Sequence, residues 1–333
     1  MLTPAYRLKL GGKVVDTTSD PQSSTAVDIV VELDIETPVD TFVVTLGQVG
    51  DINPKVDDAA TIGLGYADET SGLVNVFTGT IVSLDQGSLT NRVKSYTAAN
   101  TLLRTFVEKQ FQSKTAGAIV RDLATGASVA VDTADDGIDF PSYVVDGRRS
   151  AYAHMRELAE LCGFDLYINA DGKLVFEEFF GGKAVHVLEN AKHILSLDIL
   201  RAQPAYGSVV AFGESPTGSS GDDAWPWLTK DFSGSKGTAG SGDPVLLLER
   251  PALRTGAAAQ KAADAAELAI KRRTLRGTVL TIGRPEVKLG DAIALRGLPD
   301  ASLNTSFAVR SVRHRMHKTE GFTTLIGFRA ITV

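Results

Sequence analysis

Residues 309–328 read VRSVRHRMHKTEGFTTLIGF, and the reading of the whole chain turns on them. His314 and His317 sit three apart among Arg310, Arg313 and Arg315. A metal-binding or catalytic cluster has this composition, and so does a basic β-hairpin. Periodicity separates the two. On a strand, residues an odd number apart face opposite sides. Phe307, Val309, Ser311, Arg313, Arg315 and His317 then share one face, and Ala308, Arg310, Val312, His314 and Met316 the other. Histidines on opposite faces cannot hold one ion unless a bulge lies between them. The stretch is therefore read as a hairpin, with His314 serving packing or a hydrogen bond.

The strands before it, LRGTVLTIG (275–283), DAIALRG (291–297) and TSFAVRSVRHRM (305–316), belong to the same β segment, as does GFTTLIGFRA (321–330). Residues 5–98 have a similar texture. YRLKLGGKVV alternates around Gly11-Gly12, a two-residue hairpin signal. In AVDIVVELDI, Val27, Ile29, Val31, Leu33 and Ile35 oppose Asp28, Glu32 and Asp34. Six or seven short strands suggest a barrel or sandwich.

Between these segments the texture changes. Leu102, Leu103, Phe106, Val107 and Phe111 recur at helical spacing over 98–111, and Ser113 is placed to cap a short helix after it. RRSAYAHMRELAELCGF predicts a helix capped by Ser150 and stopped at Gly163. FDLYINADGKLVFEEF predicts a hairpin at Asp171-Gly172. Residues 213–244 are rich in Gly, Ser and Asp and read as a long mobile loop. Within it, Trp225 and Trp227 pin the loop either to the parent domain, the favoured reading, or to a partner. Residues 255–273 form an alanine-rich helix with Lys271, Arg272 and Arg273 at its C-terminal end.

The expected organisation is mainly β with an α+β insertion. A first β-barrel domain covers 1–98 and an α+β module 99–190. A second β-barrel domain covers 191–333, with the loop at 213–244 and the helix at 255–273. A chain of 333 residues suits two or three domains. There is no apolar run long enough to span a membrane, and the N-terminus does not read as a secretory signal. Cys162, the single cysteine, sits in an apolar helical stretch and reads as a structural thiol of a reducing compartment. Charge is uneven: residues 1–100 carry −7, 101–249 carry −8 and 250–333 carry +9. A basic segment of this kind can be a solvated face, a nucleic-acid surface or one half of a subunit contact.

No catalytic constellation stands out. His186 and His193 have no cysteine or carboxylate at ligand spacing, and His154 reads as a helix residue. Asp135-Asp136 and Asp222-Asp223 read as solvated pairs. Nucleophile-elbow, phosphate-loop and zinc-protease motifs are missing. Neither an enzyme activity, a cofactor nor a metal is expected.

Two stretches resemble a known family. One is YVVDGRRSAYAHMRELAELCGFDLYINADGKLVFEE (143–178), where Ala151, Met155, Leu158, Ala159, Leu161, Cys162, Gly163 and Phe164 fit the family's strand–helix–hairpin pattern. The other is 276–328, where Gly283, Pro285, Leu289, Gly290, Asp291, Phe307, Val309, Val312, His314, Gly321, Phe322 and Thr324 occupy motif positions. The pattern is similar to that of the baseplate hub proteins of contractile phage tails and injection systems. These include the late control protein D family and the N-terminal hub part of VgrG.

The resemblance implies tail-tube-like barrels and a homotrimeric ring of pseudo-six-fold symmetry that joins a six-fold tail tube to a three-fold spike. The implied partners are further copies of the chain, the tail tube protein, a separate central spike protein and other baseplate proteins. Neither a membrane nor a sequence-specific nucleic acid is among them, although DNA or an effector can pass the channel. The implied location is a virion or injection-particle baseplate assembled in the bacterial cytoplasm. Arg310, Arg313, Arg315, Trp225 and Trp227 are the candidate subunit-interface residues. The alternative is a tail-associated cell-wall hydrolase or glycan-binding protein with a cleft of convergent carboxylates or aromatics.

Overall fold

The computed structural model describes residues 3–21, 24–47, 52–68, 72–213 and 236–331. Seven strands make the first β half: β1 (Pro4–Leu10), β2 (Lys13–Asp16), β3 (Ala26–Asp34), β4 (Thr41–Gly47), β5 (Ala59–Tyr66), β6 (Val74–Gln86) and β7 (Thr90–Tyr96). Their alternation is that of strands with one wet face: Ile29, Val31 and Leu33 are buried, while Glu32 is exposed.

The middle module runs α1 (Ala99–Leu103), β8 (Lys109–Thr115), α2 (Ala116–Gly126), β9 (Val131–Ala134), β10 (Asp139–Val145), α3 (Ala151–Cys162), β11 (Asp165–Ile168) and β12 (Leu174–Glu177). The rest of the chain gives β13 (Val185–Glu189), β14 (Ile194–Arg201), β15 (Ser208–Phe212), β16 (Lys236–Gly240), β17 (Val245–Glu249), α4 (Gly256–Arg272), β18 (Leu275–Ile282), β19 (Ala292–Arg296), β20 (Ser306–His317) and β21 (Gly321–Ala330).

The chain is mainly β with an α+β module between two β halves, as read from the sequence. The halves are not sealed off from each other. One hydrogen-bonded path runs β14-β18-β21-β20-β3-β4-β7-β6-β5-β1-β2, with β19 attached to β20 and β13 to β19. The halves meet at the antiparallel β3–β20 pair, with Leu33 opposite Val312 and Val31 opposite His314.

Among the described residues this path has two free ends, and side chains do what backbone pairing does not. Tyr66 on β5 stands six strands from Phe322 on β21 in the path, which is about 29 Å on a flat sheet. Their ring centroids are 5.7 Å apart. The Tyr66 hydroxyl also donates to the Gly283 carbonyl at 3.0 Å. The sheet therefore rolls up around a single apolar core that includes Val31, Phe42, Phe77, Phe307 and Ile326.

A second core lies against the first. Leu123, Met155 and Leu158 share it with Val209 and Ala211 of β15 and with Ala258, Ala259, Ala262 and Ala263 of α4. The alanine face of α4 lets the β15–β17 sheet come close: a Cβ on Gly237 would lie 2.3 Å from the Ala259 carbonyl carbon. Residues 208–212 and 236–272 thus pack on the middle module, although their place in the chain puts them among the last strands.

Local signals held where a cap or turn residue carried them. Ser150 Oγ accepts the Ala153 N–H, and Gly163 ends α3 in the left-handed region. Thr255, not singled out as a cap in the sequence, caps α4 in the same way. The apolar spacing at 98–111 failed, since α1 is only five residues long and residues 109–115 form β8. Pairing with β10 outweighs the helical pattern there. Ser113 lies within that strand, and Thr115 is the N-cap of α2. The long loop is also shorter than read, because 236–240 pairs with β15.

Candidate functional site: an arginine–carboxylate junction

Arg310 owes its position to a bulge. Between Val309 and Ser311 the β20–β21 register slips by one residue, leaving Arg310 without a counterpart. Gly327 stands opposite Ser311, where a Cβ would lie 2.2 Å from Ser311 Oγ. Bulges re-aim side chains, and this one changes the facing of the strand. Val309 joins the core before the bulge, and Val312, His314 and Met316 join it after. The strict alternation read from the sequence, with Val309 on the face of Arg313, is corrected by that extra residue.

The re-aimed Arg310 is 8% exposed. Its Nη1 donates to Asp165 Oδ1 at 2.6 Å and its Nη2 to Glu36 Oε1 at 2.8 Å. Glu36 lies just beyond β3, and Arg156 of α3 reaches it at 3.1 Å while also donating to the Ile35 carbonyl at 2.7 Å. Arg329 of β21 stands 3.6 Å from both carboxylates, and Arg273 stands 3.9 Å from Glu36. Two carboxylates, Glu36 after β3 and Asp165 of β11, serve four guanidiniums drawn from the second β half, α3 and the end of α4.

The electrostatics follow from that ratio. Burial works against the Glu36 charge, but Arg310, then Arg156 and Arg329, hold its carboxyl down at about 2. Burial, together with the like charge of Arg310, pushes Arg329 down to about 10. Beside the junction Asp40 is 5% exposed and accepts the Asp34 N–H at 2.7 Å. Its burial pushes the carboxyl up to about 7.

Arg313 and Arg315 lie on the opposite, wet face of the seam. Arg313 meets Glu32 at 3.1 Å, and Arg315 meets Asp28 at 3.2 Å and Glu320 at 2.7 Å. These three acids and two arginines belong to strands β3 and β20 and the turn after β20. Acids of the first β half and arginines of the last strands thus pair within one chain. Asp85, Thr90 and Arg92 extend this face into a cleft of about 700 Å³. Trp225 and Trp227 lie outside the described residues.

The other sequence candidates have structural partners. His314 is fully buried, with Nδ1 3.0 Å from Thr324 Oγ1, and burial pushes it down to about 3, so it is neutral. His317 points the other way, to Thr319 Oγ1 at 3.0 Å. His154 lies between Arg149 and the Asp146 carbonyl. Burial pushes the Cys162 thiol up to about 12, which removes the thiolate a nucleophile needs. His186 does gain a carboxylate, Asp291 at 2.9 Å, across 105 residues of chain. Among the described residues no group of three or more His, Cys, Asp or Glu is placed to hold a metal ion.

Sequence reasoning named Arg310 but missed Glu36, Arg156, Asp165, Arg273 and Arg329. One signal was present. Val309 and Val312 are three apart, a spacing that breaks the strand period and marks a bulge.

With this geometry in hand, solved structures can be compared over the whole chain. The tail protein of 43 kDa from prophage MuSo2 of Shewanella oneidensis superposes with a TM-score of 0.71 at 14% identity, covering 97% of this chain and 98% of that one. The fold is that of phage tail proteins. A tail protein from Neisseria meningitidis MC58 gives 0.70 at 13% identity, covering 99% and 97% of the two chains. The Escherichia coli c3393 protein is a type VI secretion component with structural similarity to the T4 tail proteins gp27 and gp5. It gives 0.62 at 11% identity over 96% of this chain and 76% of its own. No protein-family model and no curated protein sequence matches the chain. The tail-protein fold is thus kept at identities where surface residues carry little common information.

Proposed function

We propose that the chain is a structural baseplate hub of a contractile tail or injection system. Three copies form a ring that presents two β halves each, six in all, to a six-fold tube and three-fold symmetry to a spike. The observation that carries this reading is the end-to-end likeness to tail proteins, 97% of one chain on 98% of the other. The β3–β20 seam supports it, because it fixes both halves of one subunit at a set angle.

Arg313 and Arg315 keep side-chain exposures of 49% and 38%, so they are the residues we propose for subunit contact. Arg310, buried inside the subunit, is not one of them. Particle mass in solution followed by electron microscopy tests the reading. A three-fold ring with an open channel is the expected result, and a compact monomer would overturn it. Charge reversal at Arg313 and Arg315 is expected to shift sedimentation toward monomer at low salt.

A further inference from the structure

Two open cavities, of about 760 and 310 Å³, share Glu36, Arg273, Arg310 and Arg329 in their linings. The shared wall is short of acceptors. Arg310 uses its two Nη groups on Asp165 and Glu36. The Nε atoms of Arg310 and Arg329 are buried with no hydrogen-bond partner among the described residues. Arg329 stands 3.6 Å from its carboxylates and Arg273 stands 3.9 Å from Glu36, both beyond hydrogen-bond range.

The other acids nearby do not make up the difference. Asp34 accepts the backbone N–H of Glu36 at 2.7 Å. Glu157 is engaged by Arg149 and Arg250, and Glu160 by Arg156. Asp198 on β14 also lines the larger cavity but is exposed there, so that lining holds three acids, Asp34, Glu36 and Asp198, against the four arginines Arg273, Arg276, Arg310 and Arg329. The larger cavity also carries Arg276 from β18. Arg329, with a side-chain exposure of 14%, needs a counter-charge, while Arg273 and Arg276 stand exposed at the same cavity, and a guanidinium fork matches a planar or tetrahedral oxyanion.

We propose that the larger cavity binds one oxyanion, a carboxylate or a phosphate, between Arg273, Arg276 and Arg329. Binding there does not depend on whether the chain is a hub. Calorimetric titration of the full chain at low ionic strength tests it, with inorganic phosphate and with acetyl-glutamate amide as separate probes. One saturable site per chain is expected with at least one probe. Tighter phosphate binding identifies a free anion as the occupant, and tighter acetyl-glutamate amide binding identifies a carboxylate offered by another protein.

Arg273→Gln and Arg329→Met are each expected to weaken binding about tenfold or more. Arg273 is exposed, so its loss leaves the fold intact. Arg329→Met replaces a poorly paired buried cation with an apolar chain of similar length, which the fold tolerates. Lys192→Gln, an exposed residue outside both linings, is expected to change nothing, which separates a site from diffuse attraction. Absence of saturable binding with both probes overturns the proposal. So does binding that both arginine variants leave unchanged.

Discussion

Arg310 and Arg313 lie three residues apart on one strand, yet they occupy different electrical environments. Arg313 has a side-chain exposure of 49% and meets one partner, Glu32, across the strand pair. Arg310 has 10% and shares two carboxylates with three other arginines. Water screens the first pair, and its removal is cheap. The second sits where a lost partner leaves a buried charge uncompensated. The same residue type on one strand therefore decorates the seam at one position and holds the two β halves to the α+β module at the other.

Breaking the buried side is expected to have the largest effect. Asp165→Ala leaves Arg310 and Arg329 facing each other and is expected to cost about 3–5 kcal/mol in urea unfolding. Replacing Arg310 and Asp165 together by Met and Leu is expected to recover most of that loss, because no charge is then stranded. A loss under about 1 kcal/mol for Asp165→Ala would place the junction with ordinary surface pairs.

A pH series sharpens the comparison next. The Asp40 carboxyl is raised from 3.8 to about 7 in the folded chain, so the folded state holds the extra proton. Its contribution is present at low pH and is lost as pH climbs from 3.8 to about 7, by about 1.4 kcal/mol per unit at the steepest. Asp40→Asn is expected to flatten that limb. His314 works in the opposite direction. It is lowered from 6.5 to about 3, so the folded state resists its proton and stability falls as pH drops through that range. Glu36, lowered from 4.5 to about 2, adds to the acid-side loss below 4.5. His314→Leu is expected to remove the histidine part and leave the Glu36 part.

The smallest effect belongs to the exposed seam. Arg313→Ala is expected to cost about 0.2–1 kcal/mol, fading as salt is raised. A double-mutant cycle with Glu32→Ala isolates the pair. A coupling as large as that of the junction would erase the distinction between the two arginines.

How much of this was legible can be followed through particular residues. Ser150 and Gly163 act on backbone groups within a turn of themselves, so their signals survive without tertiary context. The inward set Ile29, Val31 and Leu33 was legible for a similar reason, since period two is a local property. The junction was not. Arg310 reaches Asp165 across 145 residues and Glu36 across 274. No local pattern announces a partner so distant. The helical spacing at 98–111 misled for the same reason, because β10 is a stronger partner for residues 109–115 than the helix itself.

The sequence by itself determined the class of the chain: alternating strands, a capped α+β middle and a return to strands, because side-chain period and cap chemistry act over a few residues. Tertiary structure alone decided that both β halves share a rolled sheet, that one bulged residue turns Arg310 inward, and which acids meet it. Strand pairing and burial are properties of surfaces brought together. The free energy of a charge depends on what surrounds it after they meet.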